Sequence, residues 1–330
     1  MRSGGNSEWR EASRGCPQES NLGPLPWNIF QNDLVQNIHA GRLAIYTDDH
    51  QVYSAGEKIE DIETILNDEG THTSEWYQQN LLKCNQDKFQ AMNLGPRHKK
   101  KEMNLNLKDI NIKSSPGIDL LGVVIDDELN FTRQINNVCI KGARKVGVLM
   151  RLRNLIPTEA KLRIFKAFIL TQVTYCHIVW HHCRSSDRRK LERLQERALR
   201  AIYCDRTNTN EALLEKARLP MLCNCRLRDM AIFIYKVKTN LVPSYISDLF
   251  SCDMSRYNLK NTEDFSLPRC HTVTYGRLSF RYMGPYIWSK LHKSIKMADY
   301  LTAFKNQVRV LDLANVMSKN NCENCKLCKT

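Results

Sequence analysis

The chain has 330 residues, room for two domains or for one with a large extension, and its 42% hydrophobic and 25% charged residues suit a globular protein with a core. Its 49 Lys and Arg against 35 Asp and Glu leave a net charge of +14. Such an excess suits a polyanionic partner, since basic side chains that neutralise phosphates release counterions, and equally suits a well-solubilised protein with none. No apolar segment near the start resembles a signal peptide, and no stretch approaches the ~20 apolar residues of a membrane span. The 13 cysteines are therefore expected to be reduced thiols inside the cell, in nucleus or cytoplasm and not in a secreted protein.

In chain order, residues 1–13 are rich in Gly, Ser and charge without periodicity and read as disordered or truncated. From Leu22 a helix is predicted, with Pro24 in its first turn and Leu25, Ile29, Leu34 and Ile38 as a rough apolar face. Residues 42–56, RLAIYTDDHQVYSAG, read as a β-hairpin of two β-prone runs with Asp48 and Asp49 at its tip. An amphipathic helix is expected from about Lys58 to Leu82, with a weak break at Gly70. Short strands follow near Phe89–Leu94 and Asn104–Ile112, separated by PRHKKK, a nuclear address or a solvated turn. A stronger strand covers Ile118–Asp126. The order helix, hairpin, helix, strands suits an α+β sheet covered on one face by helices.

After Phe131 the pattern becomes helical, over about Thr132–Asn154, Thr158–Trp180 and Ser186–Tyr203. In the first, Ile135, Cys139, Ala143, Val146 and Leu149 share a face; in the third, Leu191, Leu194, Ala198, Leu199 and Ile202 do. The opposite side of the third carries Arg189, Lys190, Arg193, Arg197 and Arg200, with Glu196 and Arg200 as a favourable i,i+4 pair. More helix is expected over Asn210–Leu241, then a pair of strands leading into a helix within residues 267–291, and a last helix near Leu301–Leu311. No internal repeat or low-complexity tract is visible.

Two adjacent carboxylates repel, so Asp48 and Asp49 are either well solvated or placed to hold a cation. Aspartate is common at turns for its own backbone hydrogen bonds, and Asp126–Asp127 is a second such dipeptide. His177 and His181 stand one helical turn apart beside Cys176, His182 and Cys183, either as core residues of a helix or as part of a metal site. Cys322, Cys325 and Cys328 have knuckle-like spacing, which reads as part of a Zn²⁺ site or as a frayed, reduced terminus; Cys270 and His271 are the candidates for a fourth ligand. No Gly-rich phosphate loop or G-x-S-x-G elbow is present.

Arg14, Gly15, Pro17, Gln18, Ser20, Leu22, Gly23, Pro24, Asn32, Asp33 and Leu34, followed by Tyr46, Thr47, Asp48 and Asp49, resemble consecutive motifs of reverse transcriptases from non-LTR, LINE-type and jockey-like retrotransposons. Trp76, Asn80, Asn85 and Lys88 fall in the order of the next family motif, LLGVVIDDELNF resembles the strand pair that grips the primer end, and the resemblance extends over nearly the whole chain. It implies a partial polymerase palm over 14–131, an antiparallel sheet with covering helices, then a helical thumb and connection over 132–205. A C-terminal helical region with short strands and a Cys-rich tail would fill 206–330.

The same resemblance implies RNA-directed DNA synthesis on an RNA template and DNA primer, with Mg²⁺ on Asp48 and Asp49. Two such ions clamp attacking and leaving oxygens, and hard, hydrated Mg²⁺ takes one or two carboxylates plus phosphates. Arg14, Gly15, Pro17, Gln18 and Ser20 would line the nucleotide pocket, Lys88 would sit near the triphosphate as a charge or proton donor, and Arg189, Lys190, Arg193, Arg197 and Arg200 would contact nucleic acid. Three departures stand out. The family's earlier metal-binding aspartate has no counterpart among the residues before Arg14, Glu19 replaces a glycine where the triphosphate approaches, and Pro26 replaces an apolar residue. The expectation is a truncated reverse transcriptase, inactive alone. The alternatives are a non-catalytic, basic nucleic-acid-binding protein derived from a mobile element and a degenerate product of one.

Overall fold

The computed structural model describes residues 20–95, 101–108, 110–250 and 265–319. Its chain divides into two units, Met1–Ile118 and Asp119–Thr330.

In the first unit, α1 (Pro24–Phe30) begins at a proline, whose missing N–H costs nothing in a first turn, and runs into a 3₁₀ turn, Gln31–Asn37. Of the predicted apolar face, only Leu34 is buried; Leu25 and Ile29 are 62% and 68% exposed. The hairpin forms as expected, with β1 (Arg42–Tyr46) antiparallel to β2 (Asp49–Tyr53) and Tyr46 opposite Asp49. Then α2 (Ile59–Gln79) runs unbroken through Gly70. The glycine does not break the helix, and it leaves room for a neighbour: a Cβ would lie 2.2 Å from Leu107 Cδ2 and push that side chain aside.

Along α2, Ile59, Ile62, Leu66, Glu69, Thr73 and Trp76 form one stripe at alternating spacings of three and four. The three aliphatic residues pack on a small core containing Leu105, Leu107 and Ile112. Those belong to a hairpin, β3 (Asn104–Leu107) with β4 (Ile110–Lys113), where one strand was expected. Lys108, in the connection between them, adopts φ +54°, a conformation that usually goes to glycine or asparagine. Two β3 amides are satisfied from α2: Asn104 N–H donates to Glu63 at 3.0 Å and Asn106 N–H to Asn67 at 2.7 Å. The expected strand at Phe89–Leu94 reduces to a single bridge between Ala91 and Ser114.

Glu69 occupies a core position of the stripe and is 1% exposed. Its Oε1 accepts three consecutive backbone amides, from His39 at 2.9 Å, Ala40 at 2.5 Å and Gly41 at 2.8 Å, while His72 Nδ1 lies 3.7 Å from Oε2. The chain entering β1 is thereby clamped to the middle of α2.

The predicted strand over Ile118–Asp126 is a hairpin, β5 (Gly117–Leu120) with β6 (Val123–Asp126), turning at Leu121 and Gly122, both with positive φ. In the second unit, α3 (Thr132–Arg151) and α6 (Ser185–Tyr203) bury the faces their periodicity predicts, and cross closely where a Cβ on Gly142 would meet Leu194 at 2.5 Å. Between them lie α4 (Thr158–Ile164), a π-helical stretch Phe165–Leu170 and α5 (Thr171–Thr174). The predicted helix to Trp180 thus stops at Thr174. Tyr175 OH donates to the Leu121 carbonyl at 2.7 Å and Cys176 turns to φ +47°, taking residues 175–182 off the helical path.

The helix expected over 210–241 is two, α7 (Asn210–Ala217) and α8 (Leu222–Lys238), parted at Arg218, φ +51°, and Pro220. Then come α9 (Ser244–Ser247), α10 (Phe280–Lys290), α11 (Lys293–Lys296), α12 (Leu301–Val310) and α13 (Leu313–Lys319). The two strands expected within 267–291 do not form: a π-helical turn, Val273–Arg277, leads into α10, whose Ile287 and Trp288 fill a core with Ile234, Tyr235, Phe304 and Val308. Helices dominate around small antiparallel sheets, an α+β fold as the element order predicted.

Burial alone would raise the Glu69 carboxyl, and the three amides with His72 outweigh it, so its pKa lies below the usual value. Its contribution to stability is present above the ordinary glutamate pKa of ~4.3 and is lost as pH falls through the lower folded value. Glu69→Gln is expected to cost about 2 kcal/mol, the scale of hydrogen bonds to a charged acceptor, and to remove that acid-side loss in chemical denaturation.

Candidate metal-binding hairpin and basic helix face

The β1–β2 turn is Thr47–Asp48, and Asp49 opens β2; both aspartates are exposed. Thr47 adopts φ +54°, unusual for a β-branched residue and a local strain at the tip. Two contacts hold it. Trp27 Nε1–H of α1 donates to the Thr47 carbonyl at 2.8 Å, and Thr47 Oγ1–H donates to Asp48 Oδ1 at 2.9 Å.

Next to Asp49, the His50 ring is fixed from both sides. Gln31 Nε2 donates to Asn28 Oδ1, so Gln31 presents its amide oxygen, 3.2 Å from His50 Nε2; that nitrogen carries the proton, and Nδ1 accepts from Tyr77 O–H of α2. Burial lowers the His50 pKa, and Asp48 and Asp49 pull it partly back. Burial raises the Tyr77 pKa, which keeps that hydroxyl a donor. One position earlier on α2, Trp76 Nε1–H donates to Asp33 Oδ1 at 3.0 Å. These supports were missed because no period marks a polar anchor, although Asp33 and Trp76 lie inside motif segments.

Of the other predicted residues, Ser20 closes the turn into α1, its Oγ accepting Gly23 N–H at 2.9 Å. Lys88 is exposed in a 3₁₀ turn, Gln86–Lys88, opened by Asn85 Oδ1 accepting from Asp87 N–H at 3.1 Å. Among the described residues no hydrogen bond or ion pair joins Lys88 to Asp48 or Asp49. Arg14, Gly15, Pro17, Gln18 and Glu19 lie outside the described residues, as do Cys322, Cys325 and Cys328.

On α6, Arg189, Lys190, Arg193 and Arg197 are exposed along one side and Arg200 is half-buried. Lys190 is engaged locally, with Asp187 Oδ1 at 2.7 Å and Asn136 Oδ1 at 2.8 Å, and Arg200 pairs with Glu196 at 2.7 Å. The second aspartate dipeptide has a structural part: Asp126 is buried and accepts Asn130 N–H at 3.0 Å and Phe131 N–H at 2.6 Å, shaping the entry to α3. His177 and His181 lie in the turns after α5, not on a helical face. His177 Nε2 pairs with Asp229 of α8 at 2.7 Å, whereas His181 is buried, neutral and far below its usual pKa through burial and nearby Arg226 and Arg188. Among the described residues no group of three or more His, Cys, Asp or Glu is arranged to hold a metal.

Residues 1–125 match the family model described as reverse transcriptase (RNA-dependent DNA polymerase). Over these residues the chain is similar to the reverse transcriptases. A curated relative, the retrovirus-related Pol polyprotein from type-1 retrotransposable element R1 2 of Nasonia vitripennis, is 23% identical over 177 residues. That match covers 51% of this chain and 43% of the relative, so the chain spans less than half the relative's length. Family and relative together support a reverse transcriptase of the non-LTR retrotransposon kind. No solved structure matches. Reverse transcriptases as a family act on nucleic-acid templates and use divalent metal. Among the described residues no helix is long and apolar enough to cross a membrane.

Because the His50 pKa is lowered, the unfolded chain binds more protons below the ordinary histidine value of ~6.5, and stability falls with pH from there down to the folded value. His181 and His182, also lowered, act in the same direction. Replacing His50 by Asn is expected to flatten, without abolishing, the decline in unfolding free energy between about pH 6.5 and 5, measured by urea titration against the wild-type chain.

Proposed function

We propose that this reverse transcriptase segment supplies the cation-binding half of a nucleotidyl-transfer site. The observation that carries the reading is the exposed Asp48–Asp49 pair on a hairpin tip held by Trp27 and His50, within the family-matched residues. Two rigid carboxylates with open surroundings match in type and number what Mg²⁺ takes from protein, its remaining positions going to water and phosphate. When bound, the ion would supply charge neutralisation at the phosphates. Asp48 and Asp49 hold it. Lys88 would add positive charge near the triphosphate, and Arg14, Gly15, Pro17, Gln18 and Ser20 would line the incoming nucleotide. The exposed face of α6, with Arg189, Lys190, Arg193, Arg197 and Arg200, would run along the phosphates of an RNA template and DNA primer. A domain plan of palm over 14–131, thumb over 132–205 and C-terminal region over 206–330 goes with it, and the tail cysteines, Cys322, Cys325 and Cys328, would bind Zn²⁺.

The described residues bring no third metal-ligating group to the pair. We therefore expect the chain alone to bind nucleotide and cation without sustaining DNA synthesis. The same observation favours a second reading, a nucleic-acid-binding protein in which the aspartates no longer act.

One experiment separates these readings, and a second tests the nucleic-acid face they share. Mg²⁺-dependent binding of a fluorescent deoxynucleoside triphosphate is expected to weaken about tenfold or more in Asp48→Asn/Asp49→Asn, the scale on which even outer-sphere changes act at metal sites; unchanged binding overturns the cation reading. Arg189→Glu/Arg193→Glu is expected to weaken binding to an RNA–DNA duplex and to lower the slope of log affinity against log salt by about one for each phosphate the two side chains neutralise. Wild-type affinity and slope would remove α6 from either reading.

A further inference from the structure

Where the C-terminal ends of α3 and α6 meet, the second unit contains a cavity of about 430 Å³ lined by Arg153, Arg197, Arg200 and Arg206 together with Met150 and Cys204. Basic residues near helix C-termini complement the orphan carbonyls there, and this accounts for one or two such side chains. Four around one concavity exceed that need.

Their charge is poorly compensated. Glu196 engages Arg200 through Nε and Nη2, at 2.9 and 2.7 Å, yet Arg200 Nη1 is buried with no acceptor. Arg153, Arg197 and Arg206 have no carboxylate partner among the described residues. Asp205 lies next to the cavity in sequence, but its carboxylate turns into its own loop. There it accepts from Thr207 N and Oγ1 at 3.0 and 3.2 Å and from Asn208 N and Nδ2 at 3.0 and 2.5 Å.

We propose that this cavity receives a phosphate-dense anion, two or three phosphoryl groups in a row, as in the backbone of a single nucleic-acid strand or in a free polyphosphate. Planar guanidinium forks pair with phosphate oxygens in bidentate fashion, which a lysine ammonium cannot do. The volume lies within the range of small-ligand sites, and concave walls focus the field of the four cations. Four guanidiniums less the Glu196 carboxylate leave a charge that two or three phosphates would balance. The inference deepens the nucleic-acid part of the reading above and rests on it, because Arg197 and Arg200 belong to both the α6 face and the cavity. Arg153 and Arg206 belong to the cavity alone.

The test uses the full chain and sodium tripolyphosphate as probe. Titration calorimetry is expected to show one site, and alkylation of the exposed Cys204 thiol by iodoacetamide, followed by peptide mass spectrometry, should slow severalfold when the anion is present. Arg153→Gln/Arg206→Gln should weaken tripolyphosphate binding about tenfold or more and abolish the protection of Cys204, since each charge-assisted hydrogen bond is worth about that factor. The Lys pair at the same positions should recover only part of it. A dT12 oligonucleotide that displaces tripolyphosphate identifies a nucleic-acid strand as the source of the phosphates; one that does not identifies a free polyphosphate. Arg189→Gln/Arg193→Gln, which removes helix-face charge without placing a carboxylate one turn from Arg197, leaves tripolyphosphate binding intact, so failure of the helix face and failure of the cavity register separately. Wild-type anion affinity in Arg153→Gln/Arg206→Gln, or Cys204 alkylation indifferent to the anion, would overturn the proposal.

Discussion

A single buried carboxylate organises the first unit. Glu69 sits where the α2 stripe calls for an apolar side chain, and it gathers three successive amides of the segment leading into β1. A buried charge is costly unless hydrogen bonds surround it, and here three N–H groups meet one oxygen. A two-stranded hairpin is marginal in water by itself. With its entry fixed at Glu69, its second strand fixed at His50–Tyr77 and its tip fixed by Trp27, the same α2 helix and its α1 neighbour determine where the two aspartates stand. The strained Thr47 is held by that surrounding framework.

The two units use different physics. The first relies on a small apolar core and on polar anchors from α2, from Glu63 and Asn67 on the β3 edge to Trp76 on Asp33. The second relies on apolar helix faces, with α3 and α6 in one cluster and α8, α10 and α12 in another. Acidic chemistry lies on the hairpin and basic chemistry on α6, each displayed outward from the element that carries it. On α6 the division is sharp: Leu191, Leu194, Ala198, Leu199 and Ile202 are buried and Arg189, Arg193 and Arg197 exposed.

Much of this was legible in the sequence where one period governs a long segment. β-prone runs on either side of Asp48–Asp49 gave the hairpin, and three-four spacing gave the buried faces of α3 and α6. Turns that open on a residue without turn chemistry were not legible, even where a turn former follows, as Gly122 follows Leu121. Lys108 and Leu121 adopt positive φ without being glycine or asparagine, so β3–β4 and β5–β6 read as single strands. Tertiary packing overrode the β-prone tyrosines near α10, whose Trp288 completes a helical core. Glu69 left a readable trace, a charged residue at a core position of an otherwise regular stripe. Arg153 and Arg206 left none, because only the meeting of two helix ends brings them together.

The account depends most on the hairpin tip being a cation site. Paramagnetic relaxation by Mn²⁺ on the amide resonances of the isotope-labelled chain tests it directly. The account predicts selective broadening of Thr47, Asp48, Asp49 and His50 at substoichiometric Mn²⁺, reversed by excess Mg²⁺ and absent from Asp48→Asn/Asp49→Asn. Broadening that spares the tip, or that persists there without the two carboxylates, would contradict it.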